Sequence, residues 1–232
     1  MEIRTLHQSI EGIVVGSRTF SESGRFIDVL TPAHGRISVV ARGARASKKR
    51  FVGALDLFIT LDMELRTKKE PWNLEAAQII NPRLGIRSNL EAFKRAQIIC
   101  DIVRSCSHEH IVIDGFYESV STALDLLASG ESVAAASLYP VLLKNVGVFP
   151  DIKDCTRCQD RPATVLTRCQ QILRPSCLAC SSQESCSESY EVLCGGYCSN
   201  QSVAKRVEDF TLDCFEEYLG HGLKTRRICA AL

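Results

Sequence analysis

Between residues 155 and 200 the chain carries eight of its twelve cysteines, mixed with Ser and Gln and with few large aliphatic side chains. Such a stretch cannot bury enough apolar area to offset the entropy of ordering itself. Something other than a hydrophobic core must hold it. Within it, Cys155-Thr-Arg-Cys158 is followed, after residues 159–176, by Cys177-Leu-Ala-Cys180, an interval in the range read as a zinc site. Each pair suits a turn that aims two thiolates at one ion about 2.3 Å away, and four thiolates complete the tetrahedron that zinc prefers. Such a zinc would be structural, because four thiolates leave no open position for water. Cys169, Cys186, Cys194 and Cys198 lie in the same window, so a different ligand set, a second metal or an iron–sulfur cluster are the alternatives. The usual closely spaced third cysteine of an iron–sulfur site is missing. Cys100, Cys106, Cys214 and Cys229 fall on expected helices or at the tail and read as core residues.

The remaining sequence is that of an ordinary globular chain. Its 232 residues, 45% hydrophobic, suffice for one good core or two small ones. Lys and Arg total 28 against 27 Asp and Glu, so the molecule as a whole is no polycation, and a basic site must be local. No stretch reaches the roughly 18 consecutive apolar residues of a membrane span, and residues 1–12 have no apolar signal core. The expectation is a cytoplasmic protein without a membrane partner. In that reducing compartment clustered thiols point to metal rather than to disulfides.

Residues 11–81 read as short apolar strands at 12–16, 25–30, 36–41, 55–65 and 73–80, separated by turn-forming segments. Five strands of this size suit a small closed barrel of the OB-fold type, which commonly presents a face to oligonucleotides. From Ser88 the period becomes helical. Ser88 and Glu91 have the spacing of a capping box, with Leu90, Phe93, Ile98, Ile99, Ile102 and Val103 as the apolar side. Phe116, Val120, Leu124 and Leu127 mark a second helix ending before Gly130, and Pro140 implies a kinked or broken third one between 131 and 146. A last amphipathic helix over 203–219 should pack back on this bundle. The expected class is α+β multidomain, with a barrel over 1–82, a helical domain over 83–154, an inserted four-cysteine zinc module over 155–200 and a closing helix in 201–232.

A second constellation is electrostatic. No acidic residue lies between Asp28 and Asp56, whereas Arg36, Arg42, Arg45, Lys48, Lys49 and Arg50 all do. On a loop after the third strand, such flexible cations can follow a phosphate backbone. Phe51 reads as a barrel plug, Trp72 as the seal of a domain contact, and His108 and His110 as solvated. There is no GxxxxGK[ST] loop, GxSxG elbow or HExxH helix, so nothing supports hydrolytic chemistry and no catalytic residue is assigned.

Taken together, several stretches resemble the RecO family of bacterial recombination mediators. They are Gly12-Ile-Val-Val, Glu22-Ser-Gly-Arg25, Leu30-Thr31 with His34-Gly35-Arg36, Ala41-Arg42-Gly43-Ala44-Arg45, and Lys49-Arg50-Phe51 leading into Gly53-Ala-Leu55. Further on come Leu142-Leu143 to Gly147, Phe149-Pro150-Asp151 before Cys155 and Cys158, and Tyr218-Leu219 to Leu223-Lys224-Thr225-Arg226. The resemblance implies an OB-fold, a helical domain and a zinc-binding insertion. It also implies a non-catalytic protein that binds single- and double-stranded DNA, anneals complementary strands, and works with RecR, and often RecF, to let RecA replace SSB, whose C-terminal tail docks on the helical domain. Its DNA-binding loop would fall on Arg42, Arg45, Lys48, Lys49 and Arg50, with Arg36 on the strand before. Its Zn2+ ligands would include Cys155 and Cys158. The family usually has Gly-Gly shortly before its last cysteine pair, but here Gly195-Gly196 lies between Cys194 and Cys198. The third and fourth ligands are taken as Cys177 and Cys180, with Cys194 and Cys198 as the other pair. Two rival readings remain: an OB-fold RNA-binding protein with a zinc module, and a cysteine-rich redox or iron–sulfur protein.

Overall fold

The structure is a computed structural model that describes residues 7–19, 22, 24–44, 51, 53–67, 70–169, 172–182 and 184–223. Strands β1 (His7–Thr19), β2 (Arg25–Thr31), β3 (Gly35–Ala41), β4 (Thr60–Arg66) and β5 (Trp72–Asn81) close into a barrel of order β1-β2-β3-β5-β4. The thirteen-residue β1 makes closure possible by pairing with β2 on one side and β4 on the other. It bends at a register shift between Val14 and Gly16, as strands do at a bulge. All neighbours are antiparallel except β3 and β5, which run parallel. Alternate side chains from each strand point inward; Ile27, Val29, Ile37, Val39, Leu61, Met63 and Leu65 are completely buried there, and Phe51 plugs the interior at 5% exposure. The fourth apolar run divides: 54–59 forms a turn whose backbone bonds to Val14, and only Thr60–Arg66 is strand.

After the barrel come α1 (Leu84–Ser88), α2 (Leu90–Cys106), α3 (Phe116–Ala128), α4 (Ser132–Ala136) and α5 (Tyr139–Asn145). The third expected helix is indeed broken, with Pro140 in the first turn of α5, where a missing N–H costs nothing. The expected capping box is not formed. Ser88 is instead the last residue of α1, its hydroxyl donating to Gly85 O, and Asn89 caps α2 by accepting from Ala92 N. Leu90 is 60% exposed and Phe93 38% exposed; the buried face starts at Ala92 and runs through Ile99, Ile102 and Val103.

The bundle does not have a core of its own. Its apolar cluster includes Ile13, Val15, Leu30 and Phe58 from the barrel together with α2, α3, α5 and the closing helix α7 (Gln201–Leu219). Polar struts reinforce this joint. The Arg83 side chain, 1% exposed, donates to Phe58 O, Thr60 Oγ1, Ser121 Oγ and both Asp125 oxygens. Gly35 sits at φ +61°, and a Cβ there would lie 2.0 Å from Ile111 O, so only glycine permits this approach.

The segment after residue 150 contains the hairpin β6 (Val165–Cys169) and β7 (Ile172–Ser176), followed by α6 (Ser187–Leu193). It has a small core after all, made partly with borrowed residues: Leu166, Leu173, Val192 and Leu193 pack on Val203, Val207 and Phe210 of α7. Helix α7 therefore serves two clusters, presenting Ala204, Leu212 and Phe215 to the bundle. Between α2 and α7, Arg95 and Glu208 form an ion pair, Nε to Oε1 at 2.5 Å, with both side chains 8% exposed. Burial raises the Glu208 carboxyl, although Arg95 pulls it down. Among the described residues no helix is long and apolar enough to cross a membrane.

Candidate metal centre and nucleic-acid interface

The Sγ atoms of Cys155, Cys158, Cys177 and Cys180 all lie within 4.8 Å of one another, and those of Cys158 and Cys177 are 3.9 Å apart. A tetrahedron with 2.3 Å metal–sulfur bonds has sulfur–sulfur edges of about 3.8 Å, so the cluster fits one zinc-sized ion. Two turns create it. The first is pinned where Cys155 N donates to Arg161 O and Gln159 N to Cys155 O. In the second, Cys177 leads from the end of β7 into a single 3-10 turn, Leu178–Cys180. Thr156 stitches the turns together, with both its N–H and its hydroxyl donating to Pro175 O.

The electrostatics suit thiolates. Backbone N–H groups of Cys158 and Cys177 bring the Cys155 thiol down to about 6. Cys180 is pushed up to about 12 by its hydrogen bond with Cys177 and by burial. Four close sulfurs without a cation must share protons, and a bound cation would displace them. Cys155 and Cys177 are buried while Cys158 and Cys180 are half-buried, as suits a closed structural site near the surface.

The other cysteines of the window lie apart from this cluster. Cys194 is exposed at the C-terminal cap of α6, and Cys198 packs against the bundle with its N–H bonded to Ser137 Oγ. Cys169 is exposed at the hairpin end and Cys186 receives the Ser189 hydroxyl. Cys100 is fully buried on α2, and Cys106 and Cys214 are partly so; burial holds all three thiols well up, between about 11 and 12. Cys229 lies outside the described residues.

Of the expected DNA-binding cations, Arg45, Lys48, Lys49 and Arg50 lie outside the described residues. Arg42, just past β3, is exposed and donates to Asn73 Oδ1. Arg36 sits instead at the joint with the bundle, donating from Nε to Ser107 O and pairing with Glu109 at 3.3 Å, its side chain only 16% exposed. Trp72 does meet the bundle side, with His34 edge-on at 5.5 Å and His110 at 5.4 Å. His108 and His110 are both exposed, as expected; His110 also lies against that ring and 3.0 Å from Glu70. Sequence reasoning missed Arg83, which has no motif; its only local hint is its place between strand and helix. It also passed over Arg157, Arg168 and Arg174, which line a groove beside the cysteine cluster.

Comparisons with known proteins agree with this architecture. The family model described as recombination protein O N terminal matches residues 6–83, and that described as recombination protein O C terminal matches residues 87–227. Curated relatives named DNA repair protein RecO include that of Anaeromyxobacter sp. (strain K), 30% identical over 64% of this chain and 60% of its own length. That of Myxococcus xanthus is 28% identical over 66% of this chain and 64% of its own, and that of Syntrophobacter fumaroxidans 27% over 73% and 68%. The similarity thus spans about three fifths to two thirds of these relatives. With the C-terminal model alone covering residues 87–227 of a 232-residue chain, the protein belongs to the RecO family.

Proposed function

We propose that this chain is a non-catalytic mediator of DNA repair and recombination that binds single- and double-stranded DNA, anneals complementary strands, and works with RecR, and RecF where present, to let RecA replace SSB. Membership of the RecO family through both halves carries the reading. The barrel order, with its parallel β3–β5 pair, supports an OB-type domain over residues 1–82, followed by a helical domain over 83–154, a zinc module over 155–200 and a closing helix in 201–232. Cations at Arg42, Arg45, Lys48, Lys49 and Arg50 would hold the phosphates of one strand by counterion release and leave the bases free to pair. Arg36 is engaged with Glu109 and Ser107, so its part is to seat the barrel on the bundle. The helical domain would receive the tail of SSB. A Zn2+ held by Cys155, Cys158, Cys177 and Cys180 would supply structure only, since four thiolates close its coordination. The setting is the cytoplasm, on the nucleoid.

The test is fluorescence anisotropy of a labelled single-stranded oligonucleotide at several salt concentrations, repeated with RNA of the same sequence. DNA affinity should fall steeply with salt. Changing Lys48, Lys49 and Arg50 together to Ala should flatten the log–log slope by about 2, at roughly 0.7 per phosphate contact. Absence of DNA binding at low salt by the metal-loaded protein would sink the reading, and tighter binding of RNA would favour the RNA-binding alternative. A brown protein would instead point to iron and sulfur.

A further inference from the structure

Residues of the hairpin and of both cysteine turns surround a groove of about 430 Å3 that none of the preceding functions uses. Its floor follows from strand register. Thr167 on β6 pairs with Arg174 on β7, Val165 with Ser176 and Cys169 with Ile172, and paired residues share one face of a two-stranded sheet. Leu166 and Leu173, on the opposite face, are buried against α6 and α7. The face bearing Thr167, Arg174 and Ser176 therefore points away from the core, toward Thr156 and Arg157 of the first cysteine turn and Cys180 and Ser182 beside the second.

Two observations show that this face is built to take a ligand. The first is its charge. Arg157 and Arg174 both line the groove. Arg157 and Arg174 are exposed, and Arg174 has no ion pair among the described residues. Arg157 is steered by donating to Cys180 O at 3.4 Å. Arg168 pairs with Leu173 and so leaves from the opposite face; it touches the groove only at its edge, half-buried and held by Glu184 at 3.6 Å and Asp209 at 4.0 Å. The second is Thr167. It is only 5% exposed, its Oγ1 has no hydrogen-bond partner among the described residues, and it lines the groove. A buried hydroxyl without a partner costs stability and is explained if a ligand atom completes it.

Guanidinium groups that fork onto oxygens, with Ser and Thr hydroxyls beside them, are the donors that contact nucleic-acid phosphates. We propose that the outer face of the β6–β7 hairpin is a second phosphate site, in which Arg157, Arg174 and Thr167 grip the sugar–phosphate backbone of a DNA strand apart from the barrel loop. This rests on the DNA-binding reading above but not on the loop cations. The cysteine cluster contributes by fixing Arg157 and Cys180 at the groove wall, so metal loading and this second contact are linked.

The experiment uses the metal-loaded full chain with Arg157→Gln/Arg174→Gln, with Thr167→Val, and with the Lys48, Lys49, Arg50 triple Ala variant as comparator. Binding of a labelled single strand is followed by anisotropy across salt, together with metal content and thermal unfolding. The double Gln variant should lower the salt slope by about 1.4 with unchanged metal content. Thr167→Val should weaken binding about two- to tenfold while unfolding at the same or a higher temperature, since it removes an unpartnered hydroxyl. A purely structural threonine would show the opposite pattern. Unchanged affinity and slope in both groove variants, with the loop variant impaired, would overturn the second site and leave the DNA-binding reading intact. Absence of DNA binding by the unmodified protein would overturn both. Loss by the Gln variant of binding to a labelled Glu-rich peptide, with DNA binding unaffected, would reassign the groove to acidic peptide and equally overturn the proposal.

Discussion

The barrel and the cysteine module are both small β-structures, yet they are held by different forces. In the barrel, seven inward-facing side chains on β2, β3 and β4 are completely buried, and each strand has a neighbour on both sides. Among the described residues the module has two strands, and an isolated hairpin is at best marginally stable in water. Its apolar cluster depends on Val203, Val207 and Phe210 of α7, and its outer turns come together at four sulfurs. The lesson is that a hydrophobic interior tolerates the loss of one contact, while a structure closed by a few coordination bonds does not.

The largest contrast should come from the sulfurs. With Cys155→Ser and Cys158→Ser together, bound metal should be lost, and amide exchange should rise across 155–182 to near that of an unfolded chain while the barrel keeps its protection. Structural zinc sites contribute about 10–16 kcal/mol of apparent binding energy, so no compensation from the small core is expected. Replacing Cys194 and Cys198 instead should leave one metal per chain. Equal protection in all three proteins would erase the distinction between the regions.

Next in size is the seat of α7, the helix that joins the module's core to the bundle. Arg95→Met leaves Glu208 buried without its partner and should cost about 3–5 kcal/mol at neutral pH, read by denaturant titration. The pH dependence has a definite sign. Burial raises the Glu208 carboxyl in the folded protein, and removing Arg95 raises it further. The folded variant therefore binds its proton more tightly than the unfolded chain, and its deficit should shrink as pH falls toward the ordinary carboxylate range. A deficit independent of pH would mean that lost packing, not charge, sets the cost.

The smallest effect of the three belongs to the barrel. Leu61, fully buried there, should cost about 2–5 kcal/mol when cut to Ala, with the spread decided by how far the cavity collapses. Thermal unfolding should move down while metal stoichiometry stays the same. Metal release by this variant while still folded would show that barrel and module are coupled more tightly than separate cores allow.

Local chemistry explains which elements were legible. Strand positions in the barrel follow from alternation, and the Cys155, Cys158, Cys177 and Cys180 spacing reports a site because ligands to one ion must come from tight turns. The start of α2 is ambiguous in sequence because Ser88 and Asn89 are both good capping residues, and only the end of α1, which takes Ser88, decides between them. Phe93 reads as core by type, yet it meets Phe58 edge-on at a partly exposed margin, a partner contributed by a distant barrel segment.

By itself the sequence determined the periodicities, the thiol spacing and the acid-free basic stretch from Asp28 to Asp56, because each depends on residues close together in the chain. Only the tertiary structure decided that the bundle shares its core with the barrel, that Arg83 and Arg36 join them, that Cys194 and Cys198 stand apart from the sulfur cluster, and that Thr167 lines one groove with Arg174 and Arg157. Those outcomes depend on contacts between segments tens of residues apart, whose partners are fixed by mutual burial and register rather than by local pattern.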